Sequence, residues 1–262
     1  MTLIQFLGTC GGRFATFYQT RSTGGIYLED KIKIAIDPGP GAIVRMNQEG
    51  IDPTKIDLLL VSHCHPDHYT DVDVIIEAMT IGGTVKRDTL IGSESVISGI
   101  EGFDPKASKY HQSRLEEIYV AKPGNEFKVG GLTITATPTK HTDPSGVGFK
   151  IETENGIVTY TSDTSIGDEV IQSYNGTRLL ILALTTPPGI QLHHHLSPKD
   201  AVAILKDVKP ETALLTHFGL RAIKYGTEKI AEWIAEESGV NTVAAEDGMK
   251  VEMGEEITIL AK

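Results

Sequence analysis

The sequence predicts a layered α/β domain with helices packed outside sheet, and three observations carry that expectation. Strand-like apolar segments recur along the 262 residues. Amphipathic helical stripes are fewer and fall between or after them. Several strands also run straight into side chains able to bind a metal. Strands and helices mixed in this way bury their apolar faces by stacking in layers.

Strands are expected over residues 3–7, 25–28, 31–36, 57–61, 132–137, 146–151, 157–161, 179–184, 212–216 and 256–260, each a short apolar or β-branched run. Val72, Ile75, Ile76 and Met79 form one helical stripe, with Thr70 or Asp71 placed to cap it. Ala201, Ile204, Leu205 and Val208 form a second after Ser197-Pro198, where proline suits the first turn. Ile230, Trp233 and Ile234 form a third. Such stripes pack against a core. Gly8-Thr9-Cys10-Gly11-Gly12 lacks the ending of a P-loop and the spacing of a dinucleotide fingerprint, so it reads as a tight turn. Asp37-Pro38-Gly39-Pro40-Gly41 is a turn by composition. No linker, low-complexity tract or charge block divides the chain, and residues 1–262 are expected to form one domain.

A 40% hydrophobic and 23% charged composition is that of a globular protein with a sizeable core. The net charge of −11 disfavours a general nucleic-acid or anionic-membrane binder, although it permits a local cationic pocket. The two cysteines, Cys10 and Cys64, read as free thiols in a reducing compartment. The N-terminus has no basic segment followed by a signal-like apolar run, and no stretch reaches the ~20 apolar residues that span a bilayer. A cytoplasmic location is expected.

The most informative segment is His63-Cys64-His65-Pro66-Asp67-His68, directly after the apolar run Leu58-Leu59-Leu60-Val61. Imidazole and carboxylate donors suit a divalent cation such as zinc. Alternation along an extended chain would put His63, His65 and Asp67 on one side. One ion cannot easily use all three together with adjacent His68, whereas two ions sharing the loop would account for the density. A solvated His-rich turn is the alternative. Three further strands end in comparable residues. Residues 212–216 lead into His217, residues 157–161 into Asp163, and residues 132–137 through Lys140 to His141. Strand ends of this kind can converge on one rim of a sheet, where α/β proteins often place their sites. Taken singly, Asp163 could instead cap a helix starting near Ile166, and His141 could belong to a polar turn. The pattern of apolar strand, hydroxyl residue and histidine occurs both at Leu58–His63 and at Ala213–His217, a hint of two similar halves.

His63-x-His65-x-Asp67-His68 followed by His141, Asp163 and His217 resembles the metallo-β-lactamase superfamily signature across essentially the whole chain. The resemblance implies a four-layer αββα sandwich, with one ion on His63, His65 and His141, a second on Asp67, His68 and His217, and Asp163 bridging. Two divalent ions, Zn2+ or else Mn2+ or Fe2+, would share a hydroxide that attacks the substrate. Asp67 would then orient that hydroxide as well as bind metal. His195, in the cluster His193-His194-His195 ahead of Leu196-Ser197-Pro198, is similar to the phosphate-facing acid of the ribonuclease Z-like phosphodiesterase branch. A polar loop residue is its bland alternative.

Three departures disfavour folded tRNA as the partner. Asp163 follows His141 by only 22 residues, too few for a protruding tRNA arm. Leu182-Ala183-Leu184-Thr185 stands where that branch carries an acidic residue. The chain is also acidic, while RNA binding needs cationic contacts. The expectation is therefore a hydrolase acting on a small or cyclic nucleotide-like phosphodiester or a short oligonucleotide. Thioester, ester or lactone hydrolysis at the same ions is the alternative. A homo-oligomer is left open. Arg13, Tyr18, Arg21, Tyr69 and Lys140 are candidate pocket residues or ordinary surface.

Overall fold

A computed structural model describes residues 1–260. The chain enters with β1 (Thr2–Phe6), β2 (Ile26–Glu29), β3 (Lys33–Ile36), β4 (Leu58–Val61), β5 (Thr89–Ser93) and β6 (Glu117–Ala121). It continues through β7 (Glu126–Val129), β8 (Leu132–Pro138), β9 (Val147–Thr153), β10 (Gly156–Tyr160), β11 (Leu179–Ala183), β12 (Thr212–Thr216) and β13 (Asn241–Ala244), then β14 (Lys250–Met253) and β15 (Ile257–Leu260). One sheet has the order β15-β14-β1-β2-β3-β4-β5-β6, the other β13-β12-β11-β10-β9-β8-β7.

Alternation within single strands builds the layers. In β4, Leu58 and Leu60 meet Ile134 and Phe149 between the sheets. Leu59 and Val61 point the opposite way, onto Val72, Ile75, Ile76 and Met79 of the helix Val72–Met79. In β11, Leu179 and Ile181 face inward, while Leu180 and Leu182 pack on the helices Pro198–Val208 and Thr227–Ser238 through Ala201, Ile204, Ile230 and Ile234. Helix, sheet, sheet and helix therefore stack as a four-layer αββα sandwich. Both faces of these strands are covered, which is why they read as unbroken apolar runs rather than alternating ones.

Each sheet joins an antiparallel meander, β1-β2-β3 or β8-β9-β10, to a parallel run, β3 to β6 or β10 to β13. The sequence echo does not fall on equivalent strands of these halves. β4 comes directly after its meander's last strand, whereas β12 lies one strand further along.

Local signals differ in how they are used. Ser197 caps the helix Pro198–Val208 through a full capping box with Asp200. Asp71 occupies the position before Val72 but makes no side-chain cap there. Its carboxylate instead accepts from the Ile43 backbone N–H at 3.0 Å, tying two helices together. Asp163 caps nothing, since the next helix is Asp168–Ser173 with Gly167 at its start.

Candidate metal centre

The loops after β4, β8, β10 and β12 meet at one end of the sandwich and bring His63, His65, Asp67, His68, His141, Asp163 and His217 together. Donor atoms of His63, His65, His141 and Asp163 lie within 4.8 Å of one another, as do those of Asp67, His68 and His217. The division between the two groups has a local cause, and it corrects the simple alternation expected from an extended segment. The chain turns helical at Pro66, over Pro66–Tyr69. His63 and His65 precede that turn, and Asp67 and His68 are carried on it toward His217.

The rings are held from behind. His68 Nδ1 lies 2.8 Å from Asp37 Oδ2, and His63 Nδ1 lies 2.9 Å from Ser62 Oγ. His141 Nδ1 is 3.0 Å from the His194 carbonyl, and His217 Nδ1 is 3.1 Å from Thr185 Oγ1. With Nδ1 engaged outward, each of these four rings presents Nε2 to the centre. His65 is reversed: its Nδ1 faces inward, 3.0 Å from both His63 Nε2 and His141 Nε2. His68 Nε2 and His217 Nε2 approach to 3.1 Å. Outer partners that fix the tautomer and ring orientation are the usual support of metal-binding histidines.

Asp67 Oδ2 accepts from the Gly12 N–H at 2.7 Å and sits 3.2 Å from His217 Nε2. Asp163 is buried at the middle. Its Oδ1 lies 3.2 Å from His217 Nε2, yet the contact is too poorly aligned to be a hydrogen bond, and that oxygen has no other partner. A buried carboxylate oxygen left without a donor among converging ring nitrogens is what a divalent cation would satisfy. The donor set of imidazoles and carboxylates thus fits such ions.

Electrostatics point the same way. Burial drives His63 well below the ordinary histidine range and His141 down to about 4, and it lowers His65. For Asp67 and Asp163, burial acts upward but is outweighed by the facing His68 and His217, which hold both carboxyls well below their usual range. Neutral imidazoles and ionised carboxylates are the ligand states that metal binding requires. His68 is the exception. Burial lowers it, yet Asp67, Asp163 and Asp37 together carry it well above the usual value.

The glycine turn has a specific use here. A Cβ on Gly11 would lie 2.1 Å from His217 Nε2, so only glycine lets the chain pass that ring. Gly12, at φ +76°, aims its N–H at Asp67. Asp247 holds the turn from outside by accepting from the backbone N–H groups of Thr9 and Ser22 at 2.9 and 2.7 Å.

A cavity of about 950 Å³ opens over the cluster and reaches His65, Asp67, His141, Asp163 and His195. His195 Nδ1 lies 3.3 Å from Thr185 Oγ1 and 3.7 Å from Asp163 Oδ2. Burial lowers its pKa, with Asp163 acting against that. Thr185 therefore touches both His195 and His217 from the stretch where an acidic residue is missing.

Of the five candidate pocket residues, Arg13 lines the cavity. Arg21 bonds the Ala245 carbonyl and Thr227 and lies over the Phe218 ring, a packing role. Tyr69 packs against the outer core of the first sheet under Lys106. Tyr18 and Lys140 are exposed, with Lys140 running past Gly167. Cys10 and Cys64 are buried, and burial pushes both thiols up to about 12, so they stay protonated and inert.

Comparison with known proteins decides the family. A beta-lactamase superfamily domain matches residues 33–218. The chain belongs to that superfamily. This beta-lactamase superfamily protein is 41% identical to an uncharacterized Methanocaldococcus jannaschii protein over 95% of its own length and 94% of the relative's. It is 38% identical to a ribonuclease Z of Pyrobaculum arsenaticum, covering 82% of this chain and 86% of the relative, which places it in the ribonuclease Z-like branch. Its fold is similar to that of the metallo-beta-lactamase fold protein YhfI from Bacillus subtilis (TM-score 0.78, 21% identity, 95% of this chain and 98% of that one). A diphosphatase from the PhnP family is also similar in fold (TM-score 0.72, 20% identity, 97% and 98% covered).

Two residues central to this superfamily site escape a reading based on turn composition. Asp37, in the Asp-Pro-Gly-Pro-Gly run, is buried and accepts from the Ser62 N–H at 2.7 Å, from the Ser62 and Tyr160 hydroxyls, and from His68. Its donor atom also lies within 4.8 Å of those of His63 and His68, but Oδ2 is already engaged by Ser62, Tyr160 and His68, which suits it to holding the His68 ring from behind. Asp143 is buried under the histidine loop, accepting from Cys64 N at 3.0 Å and from Ser95 and Ser145. A signal for Asp37 existed: it follows Ile34-Ala35-Ile36, the same apolar-strand-then-ligand pattern seen elsewhere. No comparable strand end marks Asp143.

Proposed function

We propose that the protein hydrolyses a phosphodiester with two divalent ions, one held by His63, His65 and His141, the other by Asp67, His68 and His217, with Asp163 between them. The observation that carries this reading is the set of ring nitrogens turned inward by outward anchors around an orphaned Asp163 oxygen. Two such ions supply Lewis-acid stabilisation of phosphoryl oxygens and a water acidic enough to attack at neutral pH. The protein's own contribution is orientation. Asp67, fixed by the Gly12 N–H, presents its carboxylate where an attacking water would be aligned. Asp37, an acceptor only, keeps a proton on His68 Nδ1, and Thr185 orients the His217 ring.

His195 is the residue placed to serve the leaving group. It lines the cavity beside Asp163, and the Thr185 hydroxyl orients its ring. A lowered pKa makes its protonated form a stronger acid toward a departing alkoxide, at the expense of its population. The ribonuclease Z names among the relatives and the diphosphatase description of one structural neighbour support phosphoryl chemistry over acyl transfer. The chain's acidity and short 141–163 segment support a small or single-stranded substrate over folded RNA.

The test is turnover of a panel of phosphodiesters, thioesters and lactones by one metal-loaded preparation. Phosphodiester hydrolysis lost in Asp67→Ala is expected. Turnover of thioesters or lactones alone would overturn the assignment. For His195→Ala, the rate is expected to fall by about 10²–10⁴ with an alkyl leaving group. The loss should be much smaller with p-nitrophenolate, which leaves without a proton. Equal losses on both substrates contradict an acid role.

A further inference from the structure

The outer wall of the cavity carries residues that the proposed hydrolysis does not use. Arg13 and Phe14 open the short helix Arg13–Tyr18 just after the Gly11-Gly12 turn, and Phe17 lies one turn on. Three-residue spacing puts Phe14 and Phe17 on one helix face, and their rings meet edge to face at 6.2 Å. Both line the cavity, yet they are 67% and 72% exposed. The same cavity is also lined by Arg221 and Lys224, again three apart, on the helix Leu220–Tyr225.

The charge pattern is what singles this wall out. The chain carries 35 acidic residues against 24 lysines and arginines. Among the described residues, the ion pairs include none to Arg13, Arg221 or Lys224. Elsewhere Arg45, Arg87 and Arg178 each meet a carboxylate, while Arg114 and several lysines do not, so what distinguishes the wall is that three such cations line one cavity. Three cations without an acidic partner, sharing one cavity in an acidic protein, are a place for an anion that the protein does not itself supply. Guanidinium groups suit phosphate oxygens in particular. Two exposed aromatic rings lining the same cavity suit a flat apolar group such as a base, which stacks on aromatic side chains.

We infer that the cavity takes a nucleotide-like substrate with two anionic groups: the scissile phosphodiester over the His/Asp cluster, and a second phosphate held by Arg13, Arg221 and Lys224 while a base lies against Phe14 and Phe17. The inference rests on the hydrolytic reading for the position of the first group only. It separates substrates carrying a terminal phosphate from those without one, and a base from a purely aliphatic chain.

The experiment measures binding of three probes that offer no phosphodiester to cleave, by calorimetric titration of the zinc-loaded protein. The probes are adenosine 3′,5′-bisphosphate, adenosine 5′-monophosphate and inorganic phosphate. The bisphosphate should bind at least about tenfold more tightly than the monophosphate, which is about 1.4 kcal/mol. That ratio should collapse toward one in the triple variant Arg13→Ala/Arg221→Ala/Lys224→Ala. Phe14→Ala/Phe17→Ala should weaken both nucleotides by about tenfold and leave inorganic phosphate unchanged. Equal affinity for the two nucleotides, or a ratio that survives the triple variant, overturns the second-phosphate site. Nucleotides no weaker in the double phenylalanine variant overturn the base platform. Hydrolysis of bis(p-nitrophenyl) phosphate by the unmodified protein is followed in parallel. Its absence counts against the phosphodiesterase reading, while the binding ratios decide the subsite independently.

Discussion

The floor and the mouth of the cavity are built on opposite terms. On the floor every donor is buried or half-buried, and most are tied to an outer group within their own sheet: Asp37 after β3 to His68, Thr185 after β11 to His217, and the His194 backbone to His141. At the mouth, Phe14, Phe17, Arg221 and Lys224 stand on two six-residue helices and project into solvent. The contrast fits the roles proposed for the two parts. Ion binding and water activation tolerate little positional freedom, so the floor is fixed by packing and outer hydrogen bonds. Substrate selection requires accessible surface, and the mouth provides it at little cost to the core.

The contrast can be broken at its strongest point first. Asp163→Ala removes the carboxylate placed between the two donor groups. We expect hydrolysis to fall by at least about 10³-fold with loss of bound metal, read by rate and by metal analysis of one sample. Full metal retention would contradict the central position of Asp163. Next come stability effects. Phe149, buried between the sheets, should cost about 3–5 kcal/mol on truncation to alanine, whereas exposed Phe14→Ala should change stability by no more than about 0.5 kcal/mol. Denaturant titration separates the two, and equal losses would mean that the mouth helix is part of the core. Third, Asp37→Asn leaves the fold standing but loosens His68. Metal affinity should drop by about 10–100-fold, and an unchanged affinity in a chelator competition would remove Asp37 from the support of the floor.

The legibility of these two regions in the sequence differs for the same physical reason. Metal-competent residues gathered at strand ends leave a dense pattern, and His63, His65, Asp67, His68, His141, Asp163 and His217 all stand out by residue type and position. Most interior strands are legible because both faces are buried; β5, equally buried, escapes because Thr89, Gly92 and Ser93 leave only Leu90-Ile91 as an apolar run. β5, β6, β7, β13 and β14 were not among the expected strands. β6 and β7 lie at sheet edges with half-exposed side chains, and short edge strands carry little hydrophobic pattern. The six-residue mouth helices are too short to establish a helical period, so Phe14, Arg221 and Lys224 were visible only once the chain was folded. Asp37 and Asp143 were hidden by their neighbours, since Pro, Gly and Ser beside an aspartate suggest a turn whether or not its carboxylate is buried.

A smaller effect concerns pH in the metal-free protein. His63, His65 and His141 have folded pKa values below their unfolded ones, so the unfolded chain binds more protons between roughly pH 6.5 and 4. Their contribution to stability is present above about pH 6.5 and is lost as pH falls through that window. His68 is raised and runs the other way. His195 is lowered as well, so with four groups against one the chelated protein should melt at progressively lower temperature from pH 7 to pH 5. A flat or rising melting temperature over that range would contradict the neutral state assigned to the four rings.

The central claim is a two-ion floor made by these seven side chains, and metal counting tests it most directly. Protein saturated with zinc and dialysed free of excess should retain about two ions per chain, and His141→Ala and His217→Ala should each retain about one. Retention of none or one by the unmodified protein, or of two by both variants, would contradict the account.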